Sequence, residues 1–135
     1  MFVKEYMTSN PIVLTPSEDV TKAFNLLLEN RVRQAPVVEG GELVGIVSDR
    51  DLRMAMVQNL KMKNLTVGFI MTKDPVTIME DCTMRDAGKI LGIGKFNAIP
   101  VIEDTGKLKG IISTTDIINC FLDQTDEDNT PLITK

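Results

Sequence analysis

The strongest constraint on the fold of this chain is an internal repeat. Residues 7–23 (MTSNPIVLTPSEDVTKA) align with residues 71–87 (MTKDPVTIMEDCTMRDA), and residues 35–40 (APVVEG) align with residues 99–104 (IPVIED). After one inserted residue, LVGIVSDRDL at 43–52 aligns with LKGIISTTDI at 108–117. A repeat unit of about 60 residues does not bury its hydrophobic face alone, so neighbouring units pack on one another. The sequence therefore predicts two similar units, neither of which closes a core by itself.

Each copy predicts the element order β-α-β-β-α. In the first copy, PIVL is a short extended piece, and TPSE has the form of a capping box, with Thr15 at the N-cap and Glu18 at the third helical position. We therefore expect a helix to begin there. The apolar residues that follow at helical spacing predict a stripe facing the core: Val20, Ala23, Phe24, Leu27 and Leu28.

The second copy keeps this helical stripe but weakens it. Met84, Ala87 and Leu91 are in register, whereas Gly88 and Gly92 lie on the same stripe and lower helix propensity by about 1 kcal/mol each. In both copies, two short apolar runs separated by EGGE or DTGK predict a hairpin that leads into a second helix. We expect a first repeat at 1–60, a second at 65–123 and an acidic flexible tail at 124–135.

Composition narrows the function. The formal net charge of −4 and the few aromatic residues argue against a nucleic-acid partner. No apolar run approaches about 18 residues and the first residues lack a signal-peptide core, so we expect a cytoplasmic protein with no membrane partner. The chain has no histidine, and its two cysteines have no metal-binding spacing. These features predict neither a metal site nor an enzyme.

Three motifs, each present twice and in the same order, resemble the CBS-domain family. They are Met-Thr-x-x-Pro before the first strand, small-Pro-Val-hydrophobic in the second, and Gly-hydrophobic-x-Ser-x-x-Asp after the third. Two such domains in tandem resemble a Bateman module, and the chain is similar to the CBS pair of bacterial acetoin-utilization proteins. The resemblance implies an α/β (α+β) fold with two repeats related by a pseudo-twofold axis. It also implies a homodimer and a cleft between the repeats that binds adenosine-containing ligands such as AMP, ADP, ATP or S-adenosylmethionine.

The serine and aspartate of the third motif are candidate site residues on chemical grounds as well. Ser48 and Asp51 end a strand and open a helix, where free N–H groups and the helix dipole suit a phosphate. The aspartate could accept hydrogen bonds from ribose hydroxyls, and the serine could donate to phosphate. The alternative is that Ser-x-x-Asp is only a capping box, which needs no ligand.

Two binding sites follow from the resemblance. In the first, Asp51 would bind ribose, Ser48 and Arg50 would bind phosphate, and Ile46 would line the adenine pocket. The opposite repeat would complete this site with Val76, Thr77 and Phe96. The second site would mirror the first, with Asp116, Ser113, Thr115 and Ile111 facing Ile12, Val13 and Val32.

The two sites differ in charge. Arg33 precedes a strand at a position where family members place a basic residue against phosphate, and the second copy has Asn97 there. The alternative for Arg33 is a solvated side chain or a surface ion pair. With Arg50 and Arg33 nearby, the first site is expected to prefer more phosphates than the second.

The sequence therefore predicts a regulatory, ligand-sensing module that needs no cofactor, performs no chemistry and binds an adenine nucleotide as its regulatory ligand. A regulated protein partner would read its state. The alternative is a ligand-free CBS pair that dimerises or tethers a partner.

Overall fold

The computed structural model describes residues 1–59 and 64–125 as two similar halves. The first half contains α1 (Val3–Tyr6), β1 (Thr8–Ser9), α2 (Val20–Glu29), β2 (Gln34–Glu39), β3 (Glu42–Ser48) and α3 (Asp49–Asn59). The second contains α4 (Val67–Ile70), β4 (Thr72–Lys73), β5 (Ile78–Met79), α5 (Met84–Gly94), β6 (Ala98–Ile102), β7 (Leu108–Ser113) and α6 (Thr114–Gln124). Most of the acidic tail predicted at 124–135, and part of the segment between the repeats, lie outside the described residues.

The two repeats exchange their opening strands. One sheet has the order β1-β7-β6-β5 and the other has the order β2-β3-β4. The pair Thr8↔Ile111 joins β1 of the first repeat to the hairpin of the second. The pair Thr72↔Ile46 joins β4 of the second repeat to the hairpin of the first. Each sheet is therefore built from both repeats.

The hydrophobic cores follow the same exchange. Val3 is fully buried in the core of the second repeat, and its N–H donates to the carbonyl of Cys82 at 2.8 Å. Val67 is fully buried in the core of the first repeat, and its N–H donates to the carbonyl of Glu18 at 2.9 Å. These two contacts occupy equivalent positions of the two copies. Neither repeat closes its core alone, as the sequence predicts.

A polar contact also ties the N-terminus to the second repeat. The hydroxyl of Tyr6 on α1 donates to Oδ2 of Asp123 on α6 at 2.7 Å. This hydrogen bond is the main reason that the pKa of Tyr6 lies well above its ordinary value, since removing the proton would place two negative charges side by side.

The start of the first long helix differs from the sequence prediction. Helix α2 begins at Val20 rather than after Thr15, because Asp19 is its N-cap and accepts from the N–H groups of Thr21 at 2.9 Å and Lys22 at 3.2 Å. Only half of the predicted box forms: the N–H of Thr15 donates to Oε1 of Glu18 at 2.9 Å, but the N–H of Glu18 donates to the Thr15 carbonyl at 3.2 Å rather than to its hydroxyl. It closes a turn that precedes the helix.

The core stripes are confirmed except at one edge of α2. Val20, Ala23 and Leu27 are buried, as are Met84, Ala87 and Leu91 on α5. The prediction is wrong for Leu28, which is 65% exposed, and Phe24 is only partly buried. The stripe is narrower than its periodicity suggests because α2 packs chiefly on α3 and leaves its far edge open.

The predicted order β-α-β-β-α is complete in the second repeat only. There β5 pairs in parallel with β6. In the first repeat, the extended piece PIVL makes a single bridge, between Leu14 and Val37, and forms no named strand. Among the residues described, no helix is long and apolar enough to cross a membrane.

The strand exchange depends on the glycine of each Gly-Ile pair, which yields a prediction. A Cβ on Gly110 would lie 2.5 Å from the carbonyl oxygen of Thr8, and one on Gly45 would lie 2.9 Å from that of Thr72. We expect Gly110→Ala to lower the free energy of unfolding by about 1–3 kcal/mol, because backbone must move to admit the methyl group.

Gly92 provides the matched control. It lies in α5, and a Cβ there would meet nothing within 4 Å. Gly92→Ala should therefore raise stability by up to about 1 kcal/mol through helix propensity. Denaturant unfolding of both variants measures the difference, and a Gly110→Ala protein as stable as the wild type would contradict the account.

Candidate functional site

A cleft of about 540 Å³ lies between the two repeats. The first repeat lines it with Thr8, Asn10, Pro11, Ile12, Arg31, Val32, Arg33 and Gln34. The second repeat lines it with Asn97, Ala98, Ile111, Ser113, Thr114 and Thr115. Both repeats therefore line the cleft.

Backbone pairing fixes the walls of this cleft. The β1–β7 ladder pairs Thr8 with Ile111, so the residues that follow β1 lie beside the end of β7. The N–H of Thr114 donates to the carbonyl of Asn97 at 3.1 Å, which holds the start of α6 against the residue before β6. Both sides of the cleft are thus held by main-chain hydrogen bonds.

The lining has an apolar part and a cationic part. Ile12, Val32 and Ile111 are partly buried and offer an apolar surface. Arg31 and Arg33 supply two exposed guanidinium groups. The start of α6 lies at the same cleft, and the positive end of its helix dipole favours negative charge there. Such a cleft suits a ligand with a flat apolar end and an anionic end.

Most residues predicted for the second site line this cleft. Ile12, Val32, Ile111, Ser113 and Thr115 do so. Val13 does not line it and is 41% exposed. Asp116 is not among the lining residues, but its carboxylate caps α6 against Ser113, which does line the cleft.

The capping contacts of the Ser-x-x-Asp motif form in both repeats. Oδ2 of Asp116 accepts from the N–H of Ser113 at 2.7 Å and from its hydroxyl at 3.0 Å. Oδ2 of Asp51 accepts from the N–H of Ser48 at 3.3 Å, and the N–H of Asp51 donates to the Ser48 hydroxyl at 3.0 Å. Within the described part of the chain, Oδ1 of each aspartate makes no hydrogen bond, so the caps leave one carboxylate oxygen free to accept from a ligand.

The residues predicted for the first site share the backbone frame of the second. The pair Ile46↔Thr72 corresponds to Ile111↔Thr8, and the N–H of Asp49 donates to the carbonyl of Arg33 at 2.7 Å, as Thr114 does to Asn97. Arg50 and Asp51 are exposed, Ser48 and Thr77 partly so, and Val76 and Phe96 are 46% and 41% exposed. The Phe96 ring occupies the space that a Cβ on Gly94 would need. Whether these residues form a binding site stays a prediction.

The structure changes the assignment of Arg33. The sequence placed it beside Arg50 in the first site, but Arg33 lines the cleft that contains Ser113 and Thr115. The reason is the strand exchange, which brings the segment before β2 to the ending of β7. Arg33 therefore adds its charge to the cleft of the second site, and a role in the first site stays a prediction.

Sequence reasoning missed several lining residues, of which Asn10 and Arg31 are the most distinctive. Both have left-handed backbone, with φ of 50° and 55°. Their counterparts in the second copy, Asp74 and Lys95, have φ of 49° and 57°. Positive φ is uncommon outside glycine and often accompanies functional sites. The sequence does indicate both positions. An Asn or Asp precedes a proline in each copy, and a basic residue follows the first long helix of each copy.

A scan against family models assigns most of the chain. The CBS-domain model matches residues 3–58 and again residues 67–123. The chain belongs to the CBS-domain family. The family assignment and the tandem α/β fold inferred from the sequence are thereby confirmed.

Solved CBS pairs share the whole fold. CBSX2 of Arabidopsis thaliana, crystallised in complex with AMP, is 34% identical, with a TM-score of 0.80 over 91% of this chain and 97% of that one. The CBS pair of protein MJ0100, in complex with 5′-methylthioadenosine and S-adenosyl-L-methionine, is 27% identical, with a TM-score of 0.81 over 90% and 99%. A Vibrio cholerae protein assigned to acetoin utilization (AcuB) has a TM-score of 0.83 over 93% and 95% at 24% identity, which confirms the expected likeness in fold.

Curated relatives are longer than this chain. Inosine-5′-monophosphate dehydrogenase of Korarchaeum cryptofilum is 32% identical over 114 residues, which are 84% of this chain but 23% of the dehydrogenase. The CBS pair thus spans about a quarter of that enzyme's length.

The capping role of the two aspartates predicts a stability loss. Asp51→Ala and Asp116→Ala should each lower the free energy of unfolding by about 1 kcal/mol, because both carboxylates accept the N–H of the residue before the helix. Asp86 is the control, since it occupies the same position of α5 and its carboxylate makes no hydrogen bond within residues 1–59 and 64–125. Asp86→Ala should cost only a few tenths of a kcal/mol in denaturant unfolding. Equal losses in all three variants would contradict this assignment.

Proposed function

We propose that this CBS pair is a regulatory module that binds an adenosine-containing ligand in the cleft between its repeats. The observation that carries the proposal is the composition of that cleft. Ile12, Val32 and Ile111 would contact the adenine, and Arg31 and Arg33 would contact phosphate. Oδ1 of Asp116 would accept from a ribose hydroxyl while Oδ2 keeps its cap.

Two related structures support this ligand class. CBSX2 was crystallised with AMP, and the MJ0100 pair with 5′-methylthioadenosine and S-adenosyl-L-methionine. An adenosine group is common to all three ligands, whereas the group attached to its 5′ carbon differs. We therefore assign the adenosine to the shared apolar part of the cleft and expect selectivity to arise at its charged end.

Regulation rather than catalysis fits the chemistry of the chain. Its sequence contains no histidine, the usual general base near neutral pH. Among the residues described, no group of histidine, cysteine, aspartate or glutamate side chains is arranged to hold a metal ion. We propose that binding changes how the two repeats sit together, that a protein partner reads this change, and that no cofactor is required.

The two sites should differ in the ligands they prefer. Among the described residues, the cleft of the second site is lined by Arg31 and Arg33 and by no acidic side chain. The repeat places Lys95 and Arg50 at the first site, together with two carboxylates, Asp74 and Asp49. Two positive charges and two negative charges cancel there. We therefore propose that the second site, and not the first, prefers ligands with more phosphates, the reverse of the order inferred from the sequence.

Ligand-induced stabilisation tests the proposal. AMP, ADP, ATP, S-adenosylmethionine and NAD are compared by thermal shift. A ligand at 100 times its dissociation constant should stabilise the protein by about 2.7 kcal/mol and raise the melting temperature by several degrees.

Calorimetry then tests the sites separately. Asp116→Ala and Asp51→Ala should each abolish one of two binding events, with Asp86→Ala as the control that abolishes none. If no ligand shifts the melting temperature, the proposed ligand-binding function is replaced by the alternative. The protein is then a ligand-free pair that dimerises or tethers a partner. If both aspartate variants keep the wild-type ligand shift and stoichiometry, the aspartates are only caps.

We also propose a homodimer. Helices α3 and α6 carry exposed apolar side chains, among them Val57 at 62%, Phe121 at 61% and Leu122 at 57%. Pairing these helices with a second copy would remove them from water, and a twofold arrangement closes the assembly. Sedimentation at tens of micromolar should show a dimer, and Phe121→Glu should shift it toward the monomer. A wild-type protein that sediments only as a monomer would contradict this proposal.

A further inference from the structure

A second cavity, of about 340 Å³, lies next to the cleft. The side chains of α2 supply its apolar floor, and Asp49 and Arg53 at the start of α3 form its far side. Arg31, Val32 and Arg33 line both this cavity and the cleft. The two spaces are therefore neighbours that share these three residues as a wall.

The rim of the second cavity is cationic. The described lining residues include three arginines, Arg31, Arg33 and Arg53, and one carboxylate, that of Asp49, which gives a net charge of +2. This local charge is opposite in sign to the net charge of −4 of the whole chain. An anion bound at the rim would offset this local positive charge.

The ion pair on this rim is weak. Nη2 of Arg53 lies 3.8 Å from Oδ2 of Asp49, and the Arg53 side chain is 64% exposed. Exposed pairs of this length contribute little to stability, so Arg53 can take another partner at low cost. Asp49 keeps a second contact in any case, because its Oδ1 accepts from the N–H of Arg50 at 2.8 Å.

The fold of a repeat does not require arginines at these positions. The second repeat has the same elements in the same order but carries Ile118 in place of Arg53, Asn97 in place of Arg33 and Gly88 in place of Phe24. Of the three arginine positions, the second repeat keeps a basic residue only at Lys95, so the cluster of three arginines is a property of the first repeat.

We propose that Arg53 reads the terminal phosphates of a nucleoside triphosphate held in the cleft. This inference rests on the proposed function. A first phosphate beside Arg33 would still lie in the cleft, whereas further phosphates would extend past residues 31–33 to the second cavity, where Arg53 can bind them. A monophosphate ends before it reaches Arg53. The rim therefore selects triphosphates over monophosphates.

Calorimetry with AMP and ATP tests the inference on the wild type, Arg53→Gln and Arg85→Gln. Arg85 is the control because it is an exposed arginine in the first turn of α5 that lines neither cavity. The wild type should bind ATP more tightly than AMP. Arg53→Gln should weaken ATP binding on the order of tenfold and AMP binding less than about twofold, since one charge-assisted contact is lost from ATP alone. Arg85→Gln should change neither.

A second readout follows the phosphate itself. In ³¹P spectra, the γ-phosphate of ATP should shift on binding to the wild type, and this shift should be reduced with Arg53→Gln. AMP should displace ATP, since both occupy the cleft.

Failure of this inference can be told from failure of the proposed function. If Arg53→Gln weakens AMP and ATP equally, or neither, the inference is overturned while the proposed function stands. ATP that stays bound in excess AMP also overturns it. If no adenosine ligand binds the wild type, both are overturned.

Discussion

The structure depends on one backbone interaction, the pairing of each repeat's opening strand with the hairpin of the other. Thr8 pairs with Ile111, and Thr72 pairs with Ile46. Because of this exchange, α1 buries its apolar side in the second core and α4 in the first. The two cores therefore stabilise each other, and neither repeat is a unit that can be cut out of the chain without losing part of its own sheet.

The exchange also makes the cleft. The residues that follow β1 lie beside the end of β7 only because the strands pair, and this contact places Ile12 and Ile111 on one surface. The same geometry sets the segment before β2, with Arg33, at the entrance to α6. A ligand in the cleft would contact both repeats at once, so its binding energy depends on their relative position. This dependence is what a regulatory module requires.

The fold could be predicted well from the sequence because the pattern for each element occurs in both copies and the apolar residues are regularly spaced. It placed the start of α2 wrongly, since two capping signals stand four residues apart and only the one at Asp19 is followed by helix. The family resemblance supplied the apolar lining residues Ile12, Val32 and Ile111, but it did not place Arg33 in the cleft of the second site. That assignment depends on which hairpin β1 joins, a long-range pairing that local spacing does not encode. Arg53 escaped notice because no motif contains it.

The central claim is that the cleft shared by the repeats binds the adenosine group, and a crystal structure of this protein grown with AMP tests it most directly. The account predicts AMP between the repeats, with its adenine against Ile12, Val32 and Ile111 and its phosphate near Arg33. A structure at saturating AMP in which the nucleotide lies elsewhere, or in which the cleft holds only solvent, would contradict the account.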